Sequence, residues 1–278
     1  MNKNIRIGTS GGQADLKRFL ACIESDNWNW EASVKHFSVG IRFFEAFDTA
    51  LGERSSEHGI TLSLHPVDIN LSANLDMEEI RIFKHNLGNF PFDYLEEDLG
   101  LWRYEKIFLG AHQTDPGFSE SSLHRAAHNA VIIQDLFEIP VVIENPPIYS
   151  GNIGMGFWEY YNRVCDLSGC QFAFDVGHYL GYCKIHNLPF DTPDIHSDIW
   201  KKIKTVHLSG MKYWRWNGIP VWLDQHADTY NQDMLCVTQI CISNGEVLHN
   251  VLLEMEGANQ STRKQNFLSV ENMLKDER

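Results

Sequence analysis

Basic residues are scarce in this 278-residue chain: 23 Lys and Arg stand against 37 Asp and Glu, a formal net charge of −14. A deficit of that size argues against a polyanionic partner such as DNA, which normally meets a basic face. Cysteine is sparse too, and the six (Cys22, Cys165, Cys170, Cys183, Cys236 and Cys241) include no C-x-x-C pair, so free thiols are expected rather than a disulfide frame or a thiolate metal site. No apolar run approaches the roughly 18 residues needed to cross a bilayer, and the polar start MNKNIRIG has no signal-peptide core. A cytoplasmic protein without a membrane or nucleic-acid partner is the expectation. With 43% apolar and 22% charged residues, the chain can bury a large core.

What the chain does have is a repeated placement. Short apolar runs end in a carboxylate or an imidazole: ITLSLH at His65, VVIE at Glu144, FAFD at Asp175, KTVH at His207 and VLLE at Glu254. Each run is too short for a buried helix and is built from Val, Ile, Leu or Phe, as in a buried parallel strand. Strands are expected at Ile5–Thr9, Asn29–Val34, Ile60–His65, Phe92–Asp98, Pro140–Asn145, Gln171–Val176, Ile203–Leu208 and His249–Glu254. Helical spacing falls between them, as at Ser119–Phe137, Phe157–Leu167 and Thr229–Ser243. Eight strand–helix units predict an α/β fold, a (β/α)8 TIM barrel in one domain spanning 1–278, with chemistry at the carboxyl ends of the strands.

Two connections are long. Gly100–Ser119 contains YEKIFLGAH, which reads as a hairpin, and Ser209–Asp228 carries Tyr213, Trp214, Trp216 and Trp222. Long loops after barrel strands cover the active mouth, so the aromatic one is a candidate wall or lid over the substrate, with rim packing as the alternative.

Histidines and carboxylates gathered at one mouth, with no matching Lys or Arg, need a cation to hold them close. Asp175 is followed three residues later by His178, where Gly177 permits a tight turn, and Asp224 stands two before His226, so an extended loop would face both to one side. With His65, Glu144, His207 and Glu254 these donors exceed what one transition-metal ion uses. Two or three ions are implied, and the mixed imidazole and carboxylate set suits iron, zinc or manganese. His112, which ends KIFLGAH, is a weaker ligand candidate.

At these residues the chain resembles the multinuclear non-haem iron-dependent oxidative enzymes. This TIM-barrel family modifies ribosomally made peptides and includes the methanobactin-biosynthesis oxidase. The resemblance runs from about Ile60 to Glu256 through LSLHPVDINLSA, DYLEEDLGLW, VVIENPPIY, GCQFAFDVGHYL, TVHLSG, LDQH and LLEMEG. It implies an oxidoreductase holding two or three iron ions that uses dioxygen to oxidise a residue, most often Cys, of a precursor peptide. A small leader-recognition protein is a further partner it allows. The resemblance implies that Glu144 bridges ions, that Asp175, His207 and Glu254 hold a central ion, that His65 and Asp98 hold a second, and that His178, Asp224 and His226 hold a third. Glu144, Asp175, His207 and Glu254 are the expected catalytic set, and Asn145, Tyr213, Trp214, Trp216 and Trp222 are expected to face the substrate. Asp98 departs from the family's usual His, and His178 stands where Asn is common. His178 resembles instead the Asp-x-x-His ligands of the zinc-dependent endonuclease IV group on the same barrel plan, with xylose-isomerase-type sugar isomerases and epimerases a third relative. A zinc hydrolase, a sugar isomerase or a non-catalytic peptide-binding barrel are the alternative functions.

Overall fold

A computed structural model describes residues 4–25, 30–104, 107–109, 117–147, 154–226 and 229–276. Its strands in chain order are β1 (Arg6–Gly12), β2 (His36–Gly40), β3 (Thr61–His65), β4 (Leu95–Asp98), β5 (Arg103–Tyr104) and β6 (Ile107–Phe108). They continue with β7 (Val141–Glu144), β8 (Gln171–Asp175), β9 (Ile203–Leu208), β10 (Met211–Trp216), β11 (Ile219–Asp224) and β12 (Asn250–Leu253). The helices are α1 (Gln13–Glu24), α2 (Thr49–Glu57), α3 (Met77–Leu87), α4 (Glu120–Phe137), α5 (Phe157–Ser168), α6 (Val176–Ile185), α7 (Gln232–Asn244) and α8 (Gln260–Asp276). Eight strands close into one barrel in the order β1-β12-β9-β8-β7-β4-β3-β2, every pair parallel. The expected (β/α)8 barrel is therefore the fold.

Local chemistry explains the elements. VVIE of β7 is buried along its whole length, as a strand sandwiched between barrel interior and helices must be. The α4 helix starts where Ser119 caps it, its Oγ accepting the backbone N–H of Ser122 at 3.2 Å. Most of the core lies between the sheet and its helices, while Tyr94, Val142 and Ala173 form a small separate apolar cluster. Each stands two residues before Glu96, Glu144 or Asp175, so strand periodicity puts both on the inward face and stacks apolar residues under the charged mouth.

One strand was expected in the wrong place. Of the expected strand Asn29–Val34, Asn29 lies outside the described residues and Trp30–Ser33 is a 3-10 turn; the strand follows at His36–Gly40. The reason is the polar barrel interior. His36 and Ser38 are buried there in hydrogen bonds, so β2 lacks the apolar signature of its neighbours. YEKIFLGAH does begin with the expected hairpin, β5 against β6, but His112 lies outside the described residues. All six cysteines are free thiols, with Cys22 and Cys236 exposed. Among the described residues no helix is long and apolar enough to cross a membrane.

Candidate metal centre

Ten side chains converge at the carboxyl end of the barrel in overlapping groups whose donor atoms lie within 4.8 Å of one another. They are His65 with Asp98 and Glu144; Asp175 with His207 and Glu254; and His178 with Asp224 and His226. Glu144 also groups with Asp175 and His178, and with Glu96 and His207. Glu96 escapes the sequence reading, although the acidic run LEED inside a buried strand could have flagged it. The groups face a cavity of about 310 Å³ lined also by Ser10, Ser38, Trp102 and Glu256, with no Lys or Arg among the described residues of its wall.

Each strand end supplies its side chain for a local reason. β8 runs into α6 without a loop, and Asp175 is at once the strand's last residue and the helix cap. Its Oδ1 accepts the His178 backbone N–H and the Ser209 hydroxyl, the latter at 2.8 Å. Gly177 serves a different purpose from the turn expected of it. It sits inside α6, where a Cβ would overlap the Oγ and carbonyl oxygen of Ser209, so it permits close approach of helix to strand. His226 reaches the cavity through a left-handed backbone (φ 48°) rather than an extended one. That turn brings its Nε2 to 2.8 Å from Asp224 Oδ2, and His178 Nε2 lies 3.2 Å from the same oxygen.

The distances fit shared cations. Two donors each about 2.1 Å from one ion stand roughly 3.0–3.4 Å apart. His207 Nδ1 is 3.2 Å from Glu144 Oε1 and 3.3 Å from Glu254 Oε1, and His226 Nε2 is 3.2 Å from Glu254 Oε2. His65 Nε2 is set wider, 3.8 Å from Glu144 Oε2 and 3.9 Å from Asp98 Oδ2. Three buried carboxylate oxygens, Glu144 Oε2, Asp175 Oδ2 and Asp224 Oδ1, make no hydrogen bond. An unpaired buried carboxylate oxygen is costly unless a cation meets it, so this donor set fits metal ions. Electrostatics agree. Burial pushes Glu144 well above the ordinary carboxylate range and Asp175 up to about 6. Burial opposes charge on His207, yet Glu144 and Glu96 beside it hold its pKa well above the usual value. Burial likewise raises Glu254, but His226 and His207 outweigh it and hold the carboxyl at about 2. Such strongly displaced neighbours mark a site built to hold charge.

The residues expected against the substrate fare differently. Asn145 is fully buried and straps β7 to β8, its Nδ2 donating to the Asp175 carbonyl at 2.9 Å and its Oδ1 accepting the Asp175 N–H at 2.8 Å. Both ends of its side-chain amide are engaged in that strap. The loop after β9 is an antiparallel hairpin, β10 with β11, that packs on α6. Tyr213 and Trp214 are exposed on it and Trp222 is half-buried, but none of the three lines the cavity; the side chain of Trp216 lies outside the described residues. The aromatic that does line the cavity is Trp102, missed in the sequence. Its indole N–H donates to buried Glu97 at 2.6 Å, and its ring stacks at 6.1 Å on Phe108 of the short hairpin.

A family model described as RiPP precursor modification enzyme MbnB/TglH/ChrH matches residues 47–267. Among solved structures, an L-ribulose 3-epimerase superposes with a TM-score of 0.62 at 11% identity, covering 98% of this chain and 95% of its own. A D-psicose 3-epimerase from Clostridium cellulolyticum H10 gives 0.58 at 9%, over 97% and 98%. A xylose isomerase domain containing protein from Salmonella typhimurium LT2 gives 0.59 at 12%, over 99% of each chain. At such identities these likenesses speak to the fold alone. No curated protein matches the chain significantly.

Proposed function

The chain belongs to the RiPP precursor modification enzymes whose model it matches, and from that premise we propose that it is a multinuclear iron oxidase acting with dioxygen on a precursor peptide, most often at Cys. One observation carries the multinuclear reading. The two oxygens of Glu144 face different donors, Oε1 toward His207 and Oε2 toward His65, which is the arrangement of a carboxylate that bridges two ions. Glu144 with His65 and Asp98 would hold one ion, Asp175, His207 and Glu254 a second, and His178, Asp224 and His226 a third. Bound iron would supply the dioxygen activation and one-electron oxidation that no side chain here can perform.

The chain's own groups do the rest. The cavity of about 310 Å³ has room for a side chain and a small oxidant but not for a folded protein, which suits a residue presented by a flexible peptide. Small residues at its rim, Gly11, Gly12 and Gly40, leave the backbone approachable. Exposed Tyr213 and Trp214 on one hairpin, and Tyr104 and Phe108 on the other, offer apolar faces on which the peptide flanking that residue can lie. The donors would accept zinc or manganese as well as iron, so metal analysis is the decisive experiment. Protein reconstituted with ferrous iron under exclusion of air is expected to retain two or three ions per chain and, with oxygen, to change the mass of a precursor peptide encoded beside it. One ion or fewer after reconstitution overturns the multinuclear reading, and zinc retained in preference to iron overturns the oxidase.

A further inference from the structure

Three of the cavity histidines have the ring nitrogen that faces away from the proposed ions held by an acceptor. His178 Nδ1 lies 2.8 Å from the Asn145 carbonyl oxygen, which leaves Nε2 for Asp224. His226 Nδ1 lies 2.8 Å from Glu256 Oε2, which leaves Nε2 for Asp224 and Glu254. His207 is turned the other way about. Its Nε2 is 3.0 Å from Glu96 Oε2, and Nδ1 is the atom facing Glu144 and Glu254.

Glu96 is fully buried on β4, and both of its oxygens are engaged. Oε1 accepts the Ser38 hydroxyl at 3.0 Å, and Oε2 faces His207. Although Glu96 lies near enough to Glu144 and His207 to share an ion with them, it therefore differs from Glu144 and Asp175, each of which keeps a buried oxygen without a hydrogen bond. The same hydroxyl–carboxylate–imidazole line recurs one strand away. Ser10, paired in register with Ser38, donates to Glu256 Oε1 at 2.5 Å, and Glu256 holds His226.

Resting on the metal reading of this cavity, we propose that Glu96 is a positioning residue that accepts the Nε2–H of His207 and so fixes Nδ1 as the ligating nitrogen. A buried imidazole N–H without an acceptor is costly, and a carboxylate acceptor both selects the tautomer and raises the basicity of the opposite nitrogen. Ser38 in turn fixes the rotamer of the carboxylate. Glu96 does not itself meet the ion.

Zinc is the probe, because it is diamagnetic and binds the same donor types. Chelator-stripped protein is titrated with Zn²⁺ against a chromophoric competitor, and the zinc-loaded, ¹⁵N-histidine-labelled protein is read by NMR. Wild type is expected to show His207 with its proton on Nε2 and a metal-shifted Nδ1. Glu96→Ala should weaken zinc binding about 10- to 100-fold with the number of ions unchanged, and should lose or displace that proton signal. Glu96→Gln, whose amide oxygen can still accept the N–H, should recover most of the affinity; it also serves if the alanine variant fails to fold. Loss of one zinc equivalent in Glu96→Gln would make Glu96 a ligand and overturn the proposal. Wild-type affinity and an unmoved Nε2–H signal in Glu96→Ala would overturn it from the other side. Wild-type protein that takes up no metal would instead sink the metal reading itself, and Glu96 with it.

Discussion

Asp175 shows how one residue can serve fold and site together. Its Oδ1 caps α6 and receives Ser209, while Oδ2 is left buried and unbonded at the mouth. Glu144 has no such local duty. Its oxygens face two sets of donors, and its removal is therefore the cleaner test. Glu144→Gln is expected to lose more than one ion per chain, because a neutral amide cannot balance two cations, whereas Glu159→Gln, an exposed side chain on α5, should keep them all. Elemental analysis of both variants checks this, and full metal content in the Glu144 variant would remove the bridging role. His65, Asp98, Glu144, Asp175, His178, His207, Asp224, His226 and Glu254 were legible because each stands at or near the end of a recognisable run. Glu96, Glu97 and Trp102 were not, since which face of a strand or loop points inward depends on register. Asn145 shows the same limit: a polar residue after a strand can strap two strands, as it does here with Asp175, and no local pattern marks that.

At the scale of elements, the strand-to-helix junction at β8 and α6 needs no loop, because Asp175 ends one and caps the other. The long aromatic connection after β9 is a regular hairpin. Its turn at Asn217 and Gly218, both with positive φ (48° and 83°), is the signature of a tight two-residue connection. Pairing across it sets Tyr213 opposite Trp222 with ring centres 5.3 Å apart. Because this hairpin packs on α6 and leaves Tyr213 and Trp214 exposed, it can contact peptide outside the cavity without touching the donors. Replacing Tyr213 and Trp214 together with Ala is expected to weaken peptide binding about tenfold or more, with metal content unchanged. Calorimetry with the precursor peptide reads the first and elemental analysis the second. Unaltered peptide affinity, or metal lost in its place, would make the hairpin a structural brace.

At the scale of the whole molecule, the barrel interior carries a polar network beside a small apolar cluster that includes Val142 and Ala173. Below the mouth, Arg6 donates to Asn250 and Thr61, His36 bonds Thr61, Ser63 and Tyr94, and Asn250 donates to the Tyr94 hydroxyl. This ring of hydrogen bonds joins β1, β2, β3 and β12 with Tyr94, the residue just before β4, where an all-apolar plug would otherwise pack. Burial, and next to it the Arg6 charge, hold the His36 pKa well below its ordinary value. The unfolded chain therefore takes up this proton first, near pH 6.5. Stability from a neutral His36 is complete above that pH and is lost as pH falls toward the depressed folded value, by about 1.4 kcal/mol per unit. Denaturant titrations between pH 6.5 and 5.5 should show wild type losing about 1 kcal/mol more than His36→Asn, since the unfolded His is already half protonated at the upper pH. Parallel losses would show that His36 carries no linked proton.

Local patterns along the chain are enough to read the barrel and most of the side chains that gather at its mouth. Strand period, turn chemistry and the ends of apolar runs are local properties, and a closed parallel sheet follows once eight such units repeat. Which of those side chains meet depends on how distant strands come together. His207 and Glu96 are 111 residues apart in the chain, yet they share a hydrogen bond because β4 and β9 both point residues into one barrel interior. The shift of β2 to His36–Gly40 has the same origin. Its polar side chains are stable in the barrel only because partners on β3 and β4 satisfy them, and no local pattern records that.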